Sequence, residues 1–257
     1  TKLYIDQTGD MDILFEKVPY FKDYQSLRGS SHDLEWNTEY GSKQKKADGQ
    51  IYFGTVLEHI LVENLCAFYD VGAHNEMRLH GADWNDALDM AAENGESVAF
   101  TCAYAGNLAD IAKYLRNLMA ISGVTKIEVL KEFEILLAEG GELYNSPEQK
   151  QGLLMRYAKE CEHCTNGRMA VIPIESICKN LEGKAAWMME NIRNKEWIAA
   201  GNGEGWFNGY YDNNSRPVEY CKPDDVRMML TGQVFAIMSG TADKEQIKAI
   251  CRSADRY

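Results

Sequence analysis

Apolar residues that recur every three to four positions dominate this chain and restrict it to helix-rich folds. Between Phe53 and Tyr69 they fall at Val56, Leu57, Ile60, Leu61, Leu65, Phe68 and Tyr69, the spacing of one helix face. Between Glu96 and Met119 they fall at Val98, Phe100, Ala103, Tyr104, Leu108, Ile111, Ala112, Leu115 and Met119. Ser122 and Thr125 open a further expected helix through Ile127, Leu130, Phe133, Leu136 and Leu137, ended by Gly140-Gly141. Ser146-Pro147-Glu148, Pro173-Ile174-Glu175, Pro223-Asp224-Asp225 and Asp243-Lys244-Glu245 read as four more helix starts, with an acid in the first turn. The first of these is expected to run to Asn166-Gly167 and the second to about Trp197. Patterns of this kind give about eight helices in all. Thr1 to Ile5 reads as the inside of an amphipathic helix, and Cys251 to Tyr257 stops in mid-helix, so a piece of a longer protein is expected.

Three loops interrupt the helices, over 33–49, 74–94 and 201–222. The last holds Trp206, Phe207, Tyr210, Tyr211 and Tyr220. Aromatics in long loops over a helical scaffold suit a binding face. A short β-hairpin is expected near Asn213-Asn214-Ser215.

The formal charge is −12, from 39 acidic and 27 basic residues. That balance disfavours nucleic acid, whose binding depends on Lys and Arg neutralising phosphates, and an anionic membrane surface. No apolar run approaches the ~20 residues of a membrane span. Seven cysteines, an odd number, suit reduced thiols and a cytoplasmic setting better than a disulfide framework. Cys161-Glu162-His163-Cys164 is a lone CxxC, short of the ligands zinc requires.

The stretch His80 to Asp89, closed by Gly95-Glu96-Ser97, sets a tryptophan among acids and one amide. An indole beside carboxylates can hold a sugar and cleave next to it: the ring stacks on the pyranose and a carboxylic acid protonates the glycosidic oxygen. The competing reading is an exposed acidic turn before a helix. Asp83 suits sugar hydroxyls, or N-caps the turn. Glu96 suits the positive end of the helix that follows, or reaches the sugar. His59 falls on the apolar stripe of its helix, as a core histidine would. Trp206 and Tyr210 serve either as sugar platforms or as packing for their loop.

Asp83-Trp84-Asn85-Asp86 followed by Gly95-Glu96-Ser97-Val98 resembles the signature of glycoside hydrolase family 94, the inverting β-glucoside phosphorylases and cyclic β-1,2-glucan synthases. Three further stretches are similar to segments of that family, in the same order: Thr8-Gly9-Asp10 with Val18-Pro19-Tyr20, Leu57-Glu58-His59, and Gly205-Trp206-Phe207 with Tyr210-Tyr211-Asp212. The resemblance implies an all-α (α/α)6 toroid, incomplete in this chain, with residues 1–257 one segment of a single catalytic domain. It implies that Asp86 is the general acid, and with it Trp84, Asp83 and Trp206 become the substrate-binding candidates. Asp86 must then stay protonated near neutral pH, which burial against an aromatic wall favours.

An inverting hydrolase needs a second carboxylate to activate water, whereas in a phosphorylase inorganic phosphate is itself the nucleophile. The resemblance places the phosphate-binding residues outside 1–257. The expected activity is cleavage of a β-linked disaccharide or oligosaccharide by phosphate, giving α-glucose 1-phosphate, with no organic cofactor or metal. The expected partners are the sugar, phosphate, the remainder of the same protein and a second copy in a homodimer. Ala82, Ala87-Leu88 and Phe100-Thr101 lean towards the β-1,2-oligoglucan phosphorylases. The alternatives are a cyclic-glucan-synthase type of transglycosylase and a non-catalytic carbohydrate-binding module.

Overall fold

The computed structural model describes residues 1–26, 31–80 and 90–257. Its helices are α1 (Lys2–Thr8), α2 (Val56–Tyr69), α3 (Val98–Ser122), α4 (Gly141–Asn145), α5 (Pro147–Glu160), α6 (Ile174–Lys195), α7 (Leu230–Met238) and α8 (Lys244–Arg256). Its strands are short: β1 (Lys17–Pro19), β2 (Gln25–Ser26), β3 (Ser31–His32), β4 (Lys45–Lys46), β5 (Phe53–Thr55), β6 (Met77–Arg78), β7 (Glu96–Ser97) and β8 (Lys126–Leu130). They continue with β9 (Cys164–Thr165), β10 (Met169–Pro173), β11 (Trp197–Gly201), β12 (Glu204–Phe207), β13 (Tyr210–Tyr211), β14 (Tyr220–Lys222) and β15 (Asp225–Arg227). About 50% of the chain is helix and 20% strand, in several small sheets. The expected all-α (α/α)6 toroid is therefore corrected to a mixed α/β chain.

Two segments account for much of that correction. The helix expected from Ser122 to Gly140 is a strand and a 3-10 helix. Lys126 to Leu130 alternates exposed and buried positions, the period of a strand, and pairs antiparallel with β10 through Ile127↔Ile172 and Val129↔Ala170. Leu130, Phe133 and Leu136 are spaced by three, which fits the tighter 3-10 repeat observed over Lys131–Leu137. The helix expected at Pro223 is instead the turn of the β14–β15 hairpin, and α7 begins later, at Leu230. Near Asn213 the chain does reverse: Tyr211 bridges Pro217, and the Asp212 carboxylate accepts from the Asn214 and Arg216 amides. Helix α5 stops at Glu160, before the expected Asn166.

The chain divides into two compact units. The first comprises residues 1–66, 113–138 and 152–178. Its anchor is Glu58, a buried carboxylate on α2 that accepts from the Tyr20 hydroxyl at 2.9 Å, the Tyr52 hydroxyl at 2.8 Å and the Leu130 amide at 3.1 Å. These bonds tie the β1–β5 and β8–β10 pairs to one helix, and a buried carboxylate requires such partners. Gly54 fits the arrangement, since an added Cβ would lie 2.7 Å from Glu58 Oε1.

The second unit comprises residues 67–112, 139–151 and 179–257. Its core gathers Val98, Cys102, Ile192, Trp206, Phe207 and Ile250 under α3, α6, α8 and β12. A three-stranded sheet has the order β13-β7-β6, with Tyr211 opposite Glu96 and Glu96 opposite Arg78. Residues 79–80 follow β6, and residues 90–95 lead into β7. Helix α8 opens with a capping box, in which the Asp243 carboxylate accepts from the Glu245 and Gln246 amides and Gln246 reaches back to the Asp243 amide. Among the described residues no helix is long and apolar enough to cross a membrane.

Candidate functional site

The motif residues Asp83, Trp84, Asn85, Asp86 and Asp89 lie outside the described residues. Both flanks are described, and both are anchored. On the entry side the Arg78 amide donates to the Asp70 carbonyl, and the His80 ring nitrogen Nε2 sits 2.9 Å from the Asp70 carboxylate. His80 has φ 48°, a left-handed backbone that turns the chain out of β6. On the return side the Asn213 side-chain oxygen accepts from the Glu93 and Asn94 amides, and the Asn213 amide donates to the Met90 carbonyl. The Leu79 amide bonds the Gly95 carbonyl at 3.0 Å, joining the two flanks.

At the base of this sheet lies a pocket of about 290 Å³, lined by His74, Asn75, Lys195, Glu196 and Tyr211 among others. Its lining residue His74 is held by Glu96, which is itself buried. Helix α3 takes its cap from Ser97, whose hydroxyl accepts from the Phe100 amide at 3.0 Å, so Glu96 is not its side-chain cap. The buried Glu96 carboxylate instead accepts from the His74 and Glu76 amides at 3.1 Å, and lies 2.8 Å from His74 Nδ1. That contact makes Nδ1 the protonated nitrogen and leaves Nε2 for the pocket. The imidazole stacks on the Tyr211 ring at 3.6 Å between centroids, tilted by only 6°. An aromatic stack on one side and a carboxylate at the edge fix the orientation of the ring.

Two further carboxylates surround this dyad. Glu196, at the end of α6, accepts from the Tyr211 hydroxyl at 2.9 Å and the Asn208 amide group at 3.1 Å. Burial raises its pKa, and the Asn208 and Tyr211 bonds only partly offset that. Glu76 is wholly buried and held well above the usual carboxylate range by burial and by the nearby Glu196. Its Oε1 accepts from Asn191 at 3.2 Å. Behind the pocket, buried Lys150 donates to Asn75 Oδ1 at 2.8 Å and lies 4.0 Å from the centres of the Phe68 and Trp187 rings. Burial pulls this lysine down to about 7. Asn75 has φ 70°, and its amide group donates to the Tyr144 carbonyl at 2.8 Å. The His74 turn is thus pinned from both sides. Perturbed groups beside a concave pocket mark it as the candidate functional site.

Of the sequence candidates, Trp206 is fully buried in β12. Its ring packs edge-on to Tyr257 at 5.6 Å within the core cluster. As a sugar platform it is corrected to a core residue, because β12 is covered by α7 and α8 and leaves the indole no exposed face. Tyr210 is buried likewise. His59, in the first unit, stacks on Tyr20 at 3.6 Å with Nε2 3.2 Å from the Val18 carbonyl. In the CxxC stretch, His163 bonds Asp33 at 2.9 Å, burial pushes the Cys161 thiol up to about 12, and none of the seven cysteines is in a disulfide. Sequence reasoning missed His74, Glu76 and Glu196. The only local signal was the His74-Asn75-Glu76 run at the head of a long loop. No protein-family model and no curated protein matches the chain.

Proposed function

We propose that this chain serves inverting phosphorolysis of a β-linked glucoside, with Asp86 as the general acid. The observation that carries the reading is the register of the β13-β7-β6 sheet, in which Tyr211 lies opposite Glu96. Two stretches that resemble the same enzyme family, 95–98 and 210–212, are far apart in sequence yet neighbours there. In sequence the acidic motif lies between β6 and β7 of this sheet.

In this mechanism the Asp86 carboxyl donates its proton to the glycosidic oxygen. A phosphate oxygen attacks the anomeric carbon from the opposite face, the bond to the leaving sugar breaks, and α-glucose 1-phosphate forms with inversion. Trp84 carries the apolar face of the pyranose and Asp83 accepts from its hydroxyls. His74, fixed by Glu96 and Tyr211, offers Nε2 to a further hydroxyl.

The test is phosphate consumption, with a panel of β-linked disaccharides, by the longer protein expected to carry this segment. Asp86→Asn is expected to lower turnover by at least ~10²-fold, the lower range for general-acid catalysis. Activity within a few-fold of wild type would remove Asp86 from the mechanism. Phosphate-independent transfer of glucosyl units would replace phosphorolysis by transglycosylation.

A further inference from the structure

The first unit contains a cavity of about 650 Å³ between the β2–β3 hairpin and helix α5. We propose that it binds a phosphate monoester carrying an apolar body, a site independent of the proposed phosphorolysis. Part of its lining is apolar, from Gly152, Met155 and Ala158 on α5. Beside them stand three cationic side chains, Lys22, Arg156 and Lys159.

Lys22 is a fixed part of the wall. It is buried, pairs with buried Asp33 at 2.9 Å, and donates to the Glu162 carbonyl. His163 holds the same Asp33 carboxylate at 2.9 Å from the other side. Those hydrogen bonds outweigh the burial that would raise Asp33, and its pKa is lowered, so the carboxylate remains charged opposite Lys22.

Arg156 and Lys159 are exposed, one helical turn apart, and neither makes an ion pair among the described residues. One carboxylate, Glu162, lines the cavity against them. In a chain of net charge −12, these two cations make the cavity a local concentration of positive charge.

The polar lining selects the anion. Arginine presents a planar fork that binds two oxygens, and a neighbouring lysine adds a point charge. The Ser26 and Ser31 hydroxyls, 2.6 Å apart, lie in the same lining. A tetrahedral dianion uses all of these donors, whereas a carboxylate is satisfied by the guanidinium alone. The volume falls in the range of small-molecule sites, ~300–1,000 Å³, and leaves room for an apolar group against Met155.

Calorimetric titration of the 257-residue chain at low salt tests this with phenyl phosphate, benzoate and inorganic phosphate. Phenyl phosphate is expected to bind at least ~10-fold more tightly than either of the others. The double variant Arg156→Glu/Lys159→Glu, at exposed positions, is expected to weaken it by at least ~10-fold with an unchanged circular-dichroism spectrum. If that variant does not fold, Arg156→Ala is expected to weaken binding several-fold. The proposal is overturned by absence of phenyl phosphate binding up to about 10 mM. Equal binding of benzoate or inorganic phosphate overturns it too, as does unchanged affinity in the folded variants.

Discussion

Glu96 is where local covalent sequence and distant packing meet. Its carboxylate receives two backbone amides and one imidazole, all from the 74–76 turn. A glutamine there keeps the size but turns an amine toward those donors. Glu96→Gln is expected to destabilise the protein by roughly 2 kcal/mol, the scale of hydrogen bonds to a buried charge, measurable as a lower midpoint in urea. Gly72 supports the same group, because an added Cβ would overlap the Glu96 carboxylate. Gly72→Ala is expected to cost about 1–3 kcal/mol as overpacking, and a variant as stable as wild type would show that the turn relaxes freely. None of this was legible in the sequence. In sequence Glu96 suits a helix end or a sugar, and only the fold reveals that it turns inward onto the residues before β6.

Elements were legible in proportion to their length. Helices α2, α3, α5, α6 and α8 follow the apolar period, and their starts at Ser146-Pro147, Pro173-Ile174 and Asp243 carry their own capping chemistry. Strands of two to five residues carry too few alternations to outweigh a helical pattern nearby, so β8 was absorbed into an expected helix. Leu130, Phe133 and Leu136 fit either helix type, and the period alone does not choose between them. The best-read terminus makes the clearest element-scale test. Asp243→Ala removes the acceptor for two first-turn amides of α8. It is expected to cost about 1 kcal/mol, with amide exchange accelerating first at Glu245 and Gln246. Protection lost equally throughout the second unit would mean that the cap stabilises more than its own helix.

Across the whole molecule, burial disfavours the charged form of three carboxyl groups and two lysines, and these set opposite slopes of stability with pH. Glu219, raised to about 7 by burial, and Glu76 and Glu196, raised chiefly by burial, bind more protons folded than unfolded above their ordinary range near 4.5. Their contribution is present at acid pH and is lost as pH rises through the raised pKa of each group, about 7 for Glu219. Lys150 and Lys184, pulled by burial from 10.5 down to about 7, bind fewer protons folded than unfolded. Their penalty is full below 7 and is relieved as pH rises above it, each by at most about 1.4 kcal/mol per pH unit. In moderate salt, which screens the repulsion of a −12 chain, these groups together give a stability minimum near neutrality. Urea unfolding at about pH 5, 7 and 9 is expected to give the lowest midpoint at the middle value. Glu219→Gln should flatten the acid limb and Lys150→Met the alkaline limb, each leaving the other in place. A maximum near pH 7, or a Lys150→Met variant that keeps the alkaline rise undiminished, would mean that the amine stays charged in the folded chain. The single amide oxygen of Asn75 and the two ring faces beside it would then suffice for a full ammonium.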